Sequence, residues 1–404
     1  MTSHDAYCLL NEEGELSTFQ EALRSSNVSL WMIAMQEKKM KAIHRNNKWV
    51  YKIKRDDNDQ VERYRARLVL KGYAQKEGID FNEIFSPVVR MTTIRIVLAM
   101  CAVFDLHLEQ LDVKTAFLHG ELEDKIYMLQ LEGFKQQGKK NFVFKLSKSI
   151  YNLKKATRYW YKRFDSFIIS LDYNILSSDH CTYYVDDMLV VGPNIDRIQE
   201  LKAQLAKEFD MKDLGPANKI LGMQIHRDRK DRKVWLSQKN YLLKILRRFN
   251  MQDCKPISTL LSMNYKLFSS MSPSSEEERM EMSRVPYASA VGSLMYAMIC
   301  TRPDFAQAVG VVSKFMGNPG GEHSDVVKRI PIYINGTSTV ALCYEGSEFI
   351  VRGYVDSDFA GDLDKRRSIT SYMFTLVRGV VNWLSKLHTV VTLSMIEVEY
   401  MVAT

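Results

Sequence analysis

The chain has 404 residues, of which 46% are hydrophobic and 26% are charged, so it can bury a core and is not broadly disordered. Its 56 lysines and arginines against 48 aspartates and glutamates give a net charge of +8. This charge is compatible with a polyanionic partner, but it is too common among proteins to indicate such a partner. The six cysteines form no CxxC pair, and the longest apolar run, residues 96–104, is far shorter than the ~18 residues of a membrane helix, so we expect no zinc site, disulfide framework or membrane span.

The N-terminal part predicts a helical lead-in followed by a basic β-hairpin. Residues 1–48 contain a helix-capping pattern at Ser17-Thr-Phe-Gln and a loose apolar stripe that indicates core packing. Two alternating stretches, residues 49–55 and 61–72, are separated by the turn-forming run Asp56-Asp-Asn-Asp. Taken alone, a hairpin this rich in lysine and arginine is more often a solvated edge than a binding site, and both interpretations stay open.

The middle of the chain alternates buried helices with acid-bearing strands. Residues 92–104 are apolar nearly all round, which predicts a buried helix, and a strand that carries Asp112 follows. An aromatic-rich helix is predicted over residues 157–171, and a charged helix over residues 196–209. Between them, Tyr184-Val-Asp-Asp is flanked by apolar residues, a pattern typical of a tight β-hairpin with acids at its tip.

Asp186 and Asp187 at this tip pose an energetic problem with two solutions. Burying two adjacent carboxylates without a cation is costly, so either the tip lies in water or a divalent cation neutralises it. Turn chemistry alone also explains an Asp-Asp pair. Because Asp112 ends a neighbouring apolar stretch, the three carboxylates together match the needs of a two-metal phosphoryl-transfer site, and we favour metal binding.

The C-terminal part indicates a linker, a helical region and a small sheet. Residues 254–285 include linker-like runs rich in serine, proline and glutamate, and helices are predicted from about residue 286 to 316. Pro331 is expected to interrupt a following helix, because proline inside a helix costs ~3 kcal/mol or more. Alternation from Phe349 predicts a three-stranded antiparallel meander, and a last helix is expected from Ile396.

A series of motifs along nearly the whole chain resembles the reverse transcriptase region of copia-type long-terminal-repeat retrotransposon polyproteins. The motifs are Trp49-Val-Tyr-Lys-Ile-Lys, Lys71-Gly-Tyr-Ala-Gln, Phe85-Ser-Pro-Val, Gln110-Leu-Asp-Val-Lys-Thr-Ala-Phe-Leu-His-Gly, Tyr184-Val-Asp-Asp, Gly292-Ser-Leu-Met-Tyr, Thr301-Arg-Pro-Asp, Tyr354-Val-Asp-Ser-Asp and Glu397-Val-Glu-Tyr. The resemblance implies an α+β fold. It assigns right-hand polymerase fingers and palm to residues 49–253, a linker and helical connection to residues 254–345, and a truncated ribonuclease H-like domain to residues 346–404.

By the same resemblance, the chain extends a primer on an RNA or DNA template with deoxynucleotide triphosphates, using Mg²⁺ or Mn²⁺ held by Asp112, Asp186 and Asp187. The residues that the resemblance places around the incoming nucleotide are Arg65, Arg67, Lys71, Lys114, Thr115, Ala116, Phe117 and Lys155. Backbone N–H groups of residues 114–116 would face phosphate oxygens, and the Phe117 ring would lie beneath the sugar. Without the family, core packing is the preferred explanation of this ring. Leu221-Gly-Met resembles the region that supports the primer end.

The ribonuclease H-like part carries two candidate metal ligands. Asp356 matches the first acid of that family, and Glu399 matches the second, with Glu397 as the runner-up. The alternative is that these residues are loop acids and a solvated helix face. Ribonuclease H activity is not expected, because the further acids of that fold do not occur before Thr404.

Several features depart from the family pattern. Cys181-Thr-Tyr passes directly into Tyr184-Val-Asp-Asp, so one palm strand is expected to be missing. Lys155 and Thr157 stand where the family has an amide and a rigid proline. Two hypotheses therefore stay open, an impaired reverse transcriptase and a non-catalytic remnant that at most binds nucleic acid, and the departures slightly favour the remnant. Either is expected inside the cell, in cytoplasmic virus-like particles or the nucleus; no oligomeric state is predicted.

Overall fold

The structure is a computed structural model, and it describes residues 21, 24–31, 47–55, 60–70, 75–78, 81–87, 89–123, 126–129, 143–173, 187–260, 267–346, 348–362 and 364–403. The chain divides into two compact units. The first unit comprises residues 1–88, 112–188 and 205–212, and the second comprises residues 89–111, 189–204 and 213–404. The predicted domain boundaries stay a prediction, and each unit is described by itself.

The described chain contains both strands and helices, with a run of five α-helices between residues 239 and 337. The strands are β1 (Asn47–Arg55), β2 (Val61–Leu70), β3 (His107–Val113), β4 (Tyr127–Leu129), β5 (Val143–Lys145), β6 (Asp187–Gly192), β7 (Met211–Pro216), β8 (Lys219–Ile220), β9 (Met223–Asp228), β10 (Lys233–Ser237), β11 (Leu342–Glu345), β12 (Val351–Asp358), β13 (Ile369–Leu376) and β14 (Gly379–Leu387). The α-helices are α1 (Met91–Val103), α2 (Ala156–Ser170), α3 (Ile195–Glu208), α4 (Lys239–Arg248), α5 (Glu276–Ser283), α6 (Tyr287–Thr301), α7 (Ala306–Ser313), α8 (Gly321–Thr337) and α9 (Met395–Ala403). The helices predicted over 92–104, 157–171 and 196–209 are confirmed as α1, α2 and α3.

The first unit contains the predicted basic hairpin. β1 and β2 pair antiparallel, with Lys52 opposite Arg65 and Val50 opposite Arg67, and the register shifts once between Lys54 and Arg55. This confirms the hairpin that the alternating pattern predicts. Every strand pair whose register is defined is antiparallel, and the mixture of helices and sheets agrees with the predicted α+β class.

Helix α2 organises an aromatic cluster in the first unit. Its buried face carries Trp160 and Phe164, one turn apart, and both rings lie against Phe209 with centroid distances of 5.2 and 5.7 Å. Gly120 approaches the helix so closely that a Cβ atom there would lie 2.8 Å from Tyr159 Cβ. Only glycine fits this contact, which fixes the segment after β3 against α2.

One hydrophobic core of the second unit forms around helix α1. Helix α1 packs with the four-stranded sheet, whose order is β11-β10-β9-β8, and with the end of the C-terminal meander. The residues of this core are Ile94, Leu98, Ala99, Cys101, Ala102, Val103, Leu108, Ile220, Met223, Ile225, Val234, Leu236, Cys300, Leu342, Tyr344, Leu376, Val377 and Val381. The predicted palm, connection and nuclease-like segments therefore share one interior.

Arg95 is a cation inside this core, on a helix that the sequence predicts to be apolar. Its guanidinium donates to the carbonyls of Val381 (3.0 Å), Cys300 (3.2 Å) and Ile299, and stacks 3.8 Å above the Trp383 ring. Burial lowers the pKa of Arg95 to about 10, so the side chain stays charged at neutral pH. Three carbonyl oxygens and an aromatic face stabilise this buried charge and join α1 to α6 and β14.

The predicted three-stranded meander is confirmed, with the strand order β12-β13-β14. β13 and β14 are joined by Val377 and Arg378, whose φ angles are 54° and 61°. Such turns normally use asparagine and glycine, because a side chain is strained at positive φ. Val377 is 2% exposed, and its burial in the core offsets that strain.

The helices α4, α6, α7 and α8 form a second core in the same unit. Helix α8 runs from Gly321 to Thr337 and contains Pro331, so the prediction that this proline interrupts the helix was wrong. Ile330 and Ile334 on either side are fully buried. We attribute the continuity of the helix to this packing, which offsets the hydrogen bond that a proline cannot donate.

Candidate active site

Asp112 lies near the end of the central strand of a three-stranded sheet whose order is β6-β3-β7. Its neighbours Leu111 and Val113 are 2% and 4% exposed, whereas Asp112 is half-buried. Successive side chains of a strand point to opposite faces, so Asp112 projects away from the face that buries these two neighbours. The strand therefore holds one carboxylate where it is partly accessible.

The acid pair can be placed only in part. Strand β6 begins with the backbone of Asp187 and lies beside β3. Asp186, the side chain of Asp187 and the run 181–184 lie outside the described residues. Among the side chains that the structure does describe, no group of three His, Cys, Asp or Glu residues could hold a metal ion. The three-carboxylate site and the missing palm strand both stay predictions.

The segment after Asp112 differs in one respect from expectation. The N–H of Lys114 donates to the carbonyl of Asp210 at 2.8 Å, and its Nζ pairs with Asp210 Oδ1 at 2.9 Å. This N–H is therefore not available to a phosphate, contrary to the prediction, because the sheet already uses it. Thr115 has φ 59° and leads into a short 3₁₀ helix, Ala116–His119. Phosphate binding by the N–H groups of Thr115 and Ala116 stays a prediction.

Phe117 lies within this short helix and is half-buried. Its ring contacts Tyr151 edge-on, with 5.0 Å between centroids, and packs against a small core that includes Leu146 and Leu153. These contacts support the core-packing interpretation, while a position beneath the nucleotide sugar stays a prediction. His119, two residues further on, lies edge-on to Phe209 at 5.5 Å, and its burial lowers the pKa of His119.

The predicted triphosphate clamp can be placed only by its backbone. Arg65 and Arg67 are two residues apart on β2. Their side chains and Lys71 lie outside the described residues. Lys155 is half-buried and directly precedes α2. Their binding to a nucleotide stays a prediction.

Two hydrogen bonds fix family motifs to the start of α2, and no pattern in the sequence predicts them. The backbone N–H of Lys154 donates to Gln75 Oε1 at 2.9 Å. Arg158 donates to the carbonyl of Phe85 at 3.1 Å and pairs with Glu83 at 2.8 Å. The Lys71-Gly-Tyr-Ala-Gln and Phe85-Ser-Pro-Val motifs are thereby held beside one helix end. Single-sequence periodicity carries no signal for such contacts between distant segments.

The Thr301-Arg-Pro-Asp motif forms a structural ion pair. The Arg302 side chain is fully buried and donates to both carboxylate oxygens of Asp304, at 2.9 and 2.7 Å. It also donates to the carbonyl and hydroxyl of Thr337, and Tyr333 donates its hydroxyl to Asp304 at 2.9 Å. The motif therefore joins the end of α6 to the end of α8.

The Leu221–Gly222 pair forms the tight turn of a β-hairpin between β8 and β9. Ile220 lies opposite Met223, and the two turn residues have φ angles of 49° and 77°. The hydroxyl of Tyr296 donates to the carbonyl of Leu221 and supports the turn from α6. The role of this turn in holding a primer end stays a prediction.

The nuclease-like acids are exposed. Asp356 lies on β12, beside a cavity of about 250 Å³ that Tyr354 and Trp383 also line. Glu399 is on the exposed surface of α9. The runner-up, Glu397, accepts a hydrogen bond from the Leu393 N–H at 2.7 Å, which caps the start of α9. A capping role thus accounts for Glu397, and metal binding by Asp356 and Glu399 stays a prediction.

Within the part of the chain that the structure describes, no helix has the length and apolar character that crossing a membrane requires.

Comparison with known proteins agrees with these motifs. The chain is 50% identical to the retrovirus-related Pol polyprotein from transposon TNT 1-94 of Nicotiana tabacum, over 98% of this chain and 32% of that protein. It is 35% and 33% identical to the Pol polyproteins from transposons RE1 and RE2 of Arabidopsis thaliana, over 87% of this chain and 24% and 25% of theirs.

The chain thus spans about a quarter to a third of the length of these relatives. The family described as reverse transcriptase (RNA-dependent DNA polymerase) matches residues 28–262, which is more than half of the chain. This match covers β3, with Asp112, and the strand that begins at Asp187. The chain belongs to the reverse transcriptase (RNA-dependent DNA polymerase) family, and nearly all of it is similar to one part of copia-type retrotransposon Pol polyproteins.

Proposed function

We propose that this chain is an RNA-directed DNA polymerase core that extends a primer through a two-metal site formed by Asp112, Asp186 and Asp187. The observation that carries the proposal is the sheet order β6-β3-β7, in which the strand that begins at Asp187 lies beside the strand of Asp112. Both residues belong to the first compact unit. Adjacent strands are ~4.7–4.9 Å apart, which is close enough for their carboxylates to share cations.

The chemistry asks mainly for alignment and charge neutralisation. Mg²⁺ or Mn²⁺ bound by the three aspartates would activate the primer hydroxyl and stabilise the leaving group. The N–H groups of Thr115 and Ala116 would donate to phosphate oxygens, since the Lys114 N–H is engaged in the sheet. The basic hairpin and Lys155 would balance the remaining triphosphate charge.

The surface of α4 supports a nucleic-acid template and primer as partners. This helix buries Leu242, Ile245 and Leu246 on one face. Its exposed cations are Lys239, Lys244, Arg247 and Arg248, and its sequence contains no acid. A helix face with this charge would bind a phosphate backbone by displacing its counterions.

A non-catalytic remnant that binds nucleic acid is the second candidate. The sequence favours it, because residues 181–184 can supply one palm strand but not two. Thr157, in place of a rigid proline in the first turn of α2, adds to the case for impairment. In this candidate the same cationic surfaces would bind nucleic acid without extending a primer.

Primer extension on an RNA template, with Mg²⁺ and separately with Mn²⁺, tests the proposal. The polymerase requires incorporation that Asp112→Asn reduces at least a hundredfold, because the variant loses a ligand charge. Asp253→Asn, an exposed acid remote in sequence, is the matched control and should leave incorporation unchanged. Wild-type incorporation no higher than that of Asp112→Asn would overturn the polymerase. Salt-sensitive nucleic-acid binding in that case would identify the remnant.

A further inference from the structure

Phe85, the first residue of the Phe85-Ser-Pro-Val motif, has an aromatic ring that the first unit leaves open to solvent. It is 69% exposed, which is the largest exposure of any large apolar residue described in that unit. The neighbouring Ile84 is 40% exposed. One exposed apolar residue is ordinary on a protein surface, but two features of the surroundings set this ring apart.

The first feature is that the backbone carrying the ring is fixed. Arg158 on α2 donates to the carbonyl of Phe85 at 3.1 Å and pairs with Glu83 at 2.8 Å, so one side chain holds the segment at two points. Pro87 further restricts the backbone two residues later. A ring on a fixed segment loses little conformational freedom when a partner binds, which favours binding.

The second feature is the positive charge of the segment on which Phe85 is held. Residues 143–163 contain seven lysines and arginines and no aspartate or glutamate. Three of these cations form ion pairs with glutamates from elsewhere in the chain, so the charge balance stays positive. Lys154 and Arg158 both lie at the N-terminal end of α2, and Gln75 fixes the N–H of Lys154. A partner of this surface must therefore offer negative charge and a flat apolar face.

Single-stranded nucleic acid has both properties, because its phosphates are anionic and every base has a ring face on which an aromatic side chain can stack. In a duplex the base faces are already stacked on each other, so a lone protein ring finds a free face only where the strand is unpaired. An apolar protein partner fits less well, because it would cover cations without supplying the opposite charge.

We propose that the Phe85 ring is a stacking platform for an unpaired base of a bound nucleic-acid strand, and that Lys154 contacts the phosphate backbone beside it. This role rests on the proposed function, in which nucleic acid is the partner, and adds that the strand bound here is single. Stacking requires neither a metal ion nor an incoming nucleotide. The platform would therefore operate in a polymerase and in a non-catalytic remnant alike.

Fluorescence anisotropy of the full chain with a labelled oligouridylate, without divalent metal ions or nucleotides, tests this platform. Phe85→Ala should raise the dissociation constant about 10- to 100-fold, the usual loss for one stacked base. It should leave the slope of log K against log salt unchanged, because no phosphate contact is removed. Lys154→Gln should instead decrease the magnitude of this slope by about 1.

Matched variants separate stacking from general apolar contact. Phe85→Leu keeps an apolar side chain without a ring and should weaken binding almost as much as Phe85→Ala, whereas Phe85→Tyr should bind like the wild type. Ile169→Ala, at an apolar residue of α2 that is 52% exposed, is the control and should have little effect. Phe85→Trp gives a direct signal, since a stacked base quenches indole fluorescence. Saturation with the oligouridylate should quench this variant more than the wild type.

The platform would be refuted by a wild type that does not bind the oligouridylate, by wild-type affinity in Phe85→Ala or Phe85→Leu, or by equal weakening in Ile169→Ala. Self-association that Phe85→Ala abolishes while RNA binding is unchanged would assign the ring to a protein interface and would also refute it. Circular dichroism checks folding, and Phe85→Leu carries the test if Phe85→Ala does not fold. Because binding is measured without metal ions, primer extension can fail while the platform stands, and the reverse.

Discussion

Lys202 on α3 is the centre of a buried group of ionised side chains. Its Nζ donates to Glu109 Oε2 at 2.7 Å and to Asp213 Oδ1 at 2.8 Å. The side chains of Lys202 and Glu109 are 6% and 10% exposed, whereas Asp213 is 51% exposed. Burial alone would lower the pKa of Lys202, but its hydrogen bonds to Asp213 and Glu109 raise the pKa above the ordinary value. The lysine is therefore charged at neutral pH.

We predict that Lys202→Met lowers the free energy of unfolding by about 3–4 kcal/mol at pH 7. Removing one partner of a buried pair costs about 3–5 kcal/mol, since the carboxylate of Glu109 is left buried alone. This cost cannot exceed the free energy of protonating the buried carboxylate, because the neutral acid is the alternative to a buried charge. A glutamate of ordinary pKa ~4.3 is neutralised at a cost of about 3.7 kcal/mol at pH 7 and about 1 kcal/mol at pH 5. The penalty should therefore shrink to about 1 kcal/mol at pH 5.

Urea unfolding followed by circular dichroism at both pH values measures this penalty. Lys207→Met, an exposed lysine on the same helix, is the control and should change stability by less than ~0.5 kcal/mol. The double variant Lys202→Met/Glu109→Met should recover most of the loss, because an apolar pair replaces the lone charge. A loss that is as large at pH 5 as at pH 7, or that the double variant does not recover, would refute the reasoning.

Three further predictions rest on other contacts. Arg378→Gly should raise the free energy of unfolding in urea by about 1 kcal/mol, because the exposed Arg378 has φ 61°; an unchanged value would contradict this. Burial lowers the pKa of His323, and its Nδ1 accepts a hydrogen bond from the Gly320 N–H at 2.9 Å. The folded protein therefore favours the neutral imidazole. The stability that this provides is fully present above the ordinary histidine pKa of ~6.5, and it is lost as the pH falls below that value. The decrease in unfolding free energy from pH 7 to 5.5 should accordingly be smaller in His323→Phe, and an equal decrease would count against it. The double variant Lys244→Glu/Arg248→Glu should bind an RNA–DNA duplex about tenfold more weakly in fluorescence anisotropy, and the slope of log K against log salt should decrease in magnitude by about 2. A variant whose slope equals that of the wild type would show that α4 makes no phosphate contact.

Periodicity correctly predicted the elements whose buried residues can be recognised from the local spacing of apolar residues. The apolar run of α1 and the alternation of the C-terminal meander both gave their elements correctly. Pro331 shows the limit, because local propensity argues for a break and the packing of Ile330 and Ile334 overrides it. Arg95 is a second case, since its acceptors come from residues about 200 and 290 positions away.

The candidate site likewise combines a feature that the local sequence predicts with one that depends on a distant residue. Asp112 lies at the end of a strand, as the apolar stretch before it predicts. The Lys114 N–H is unavailable because Asp210, almost a hundred residues later, accepts its hydrogen bond. A sequence gives the identity and order of such groups, but not which backbone donors neighbouring strands have already engaged.

The core that α1 shares with β11 and the meander bears on how such a gene can decay. A premature stop after residue 345 would remove Val381 and Leu376 from the side of α1 and uncover Tyr344. The apolar faces of α1 and β11 would then be exposed to water, and the truncated chain should be less stable and more prone to aggregate. A frameshift that alters residues 376–381 would therefore damage the same core that a change within α1 damages.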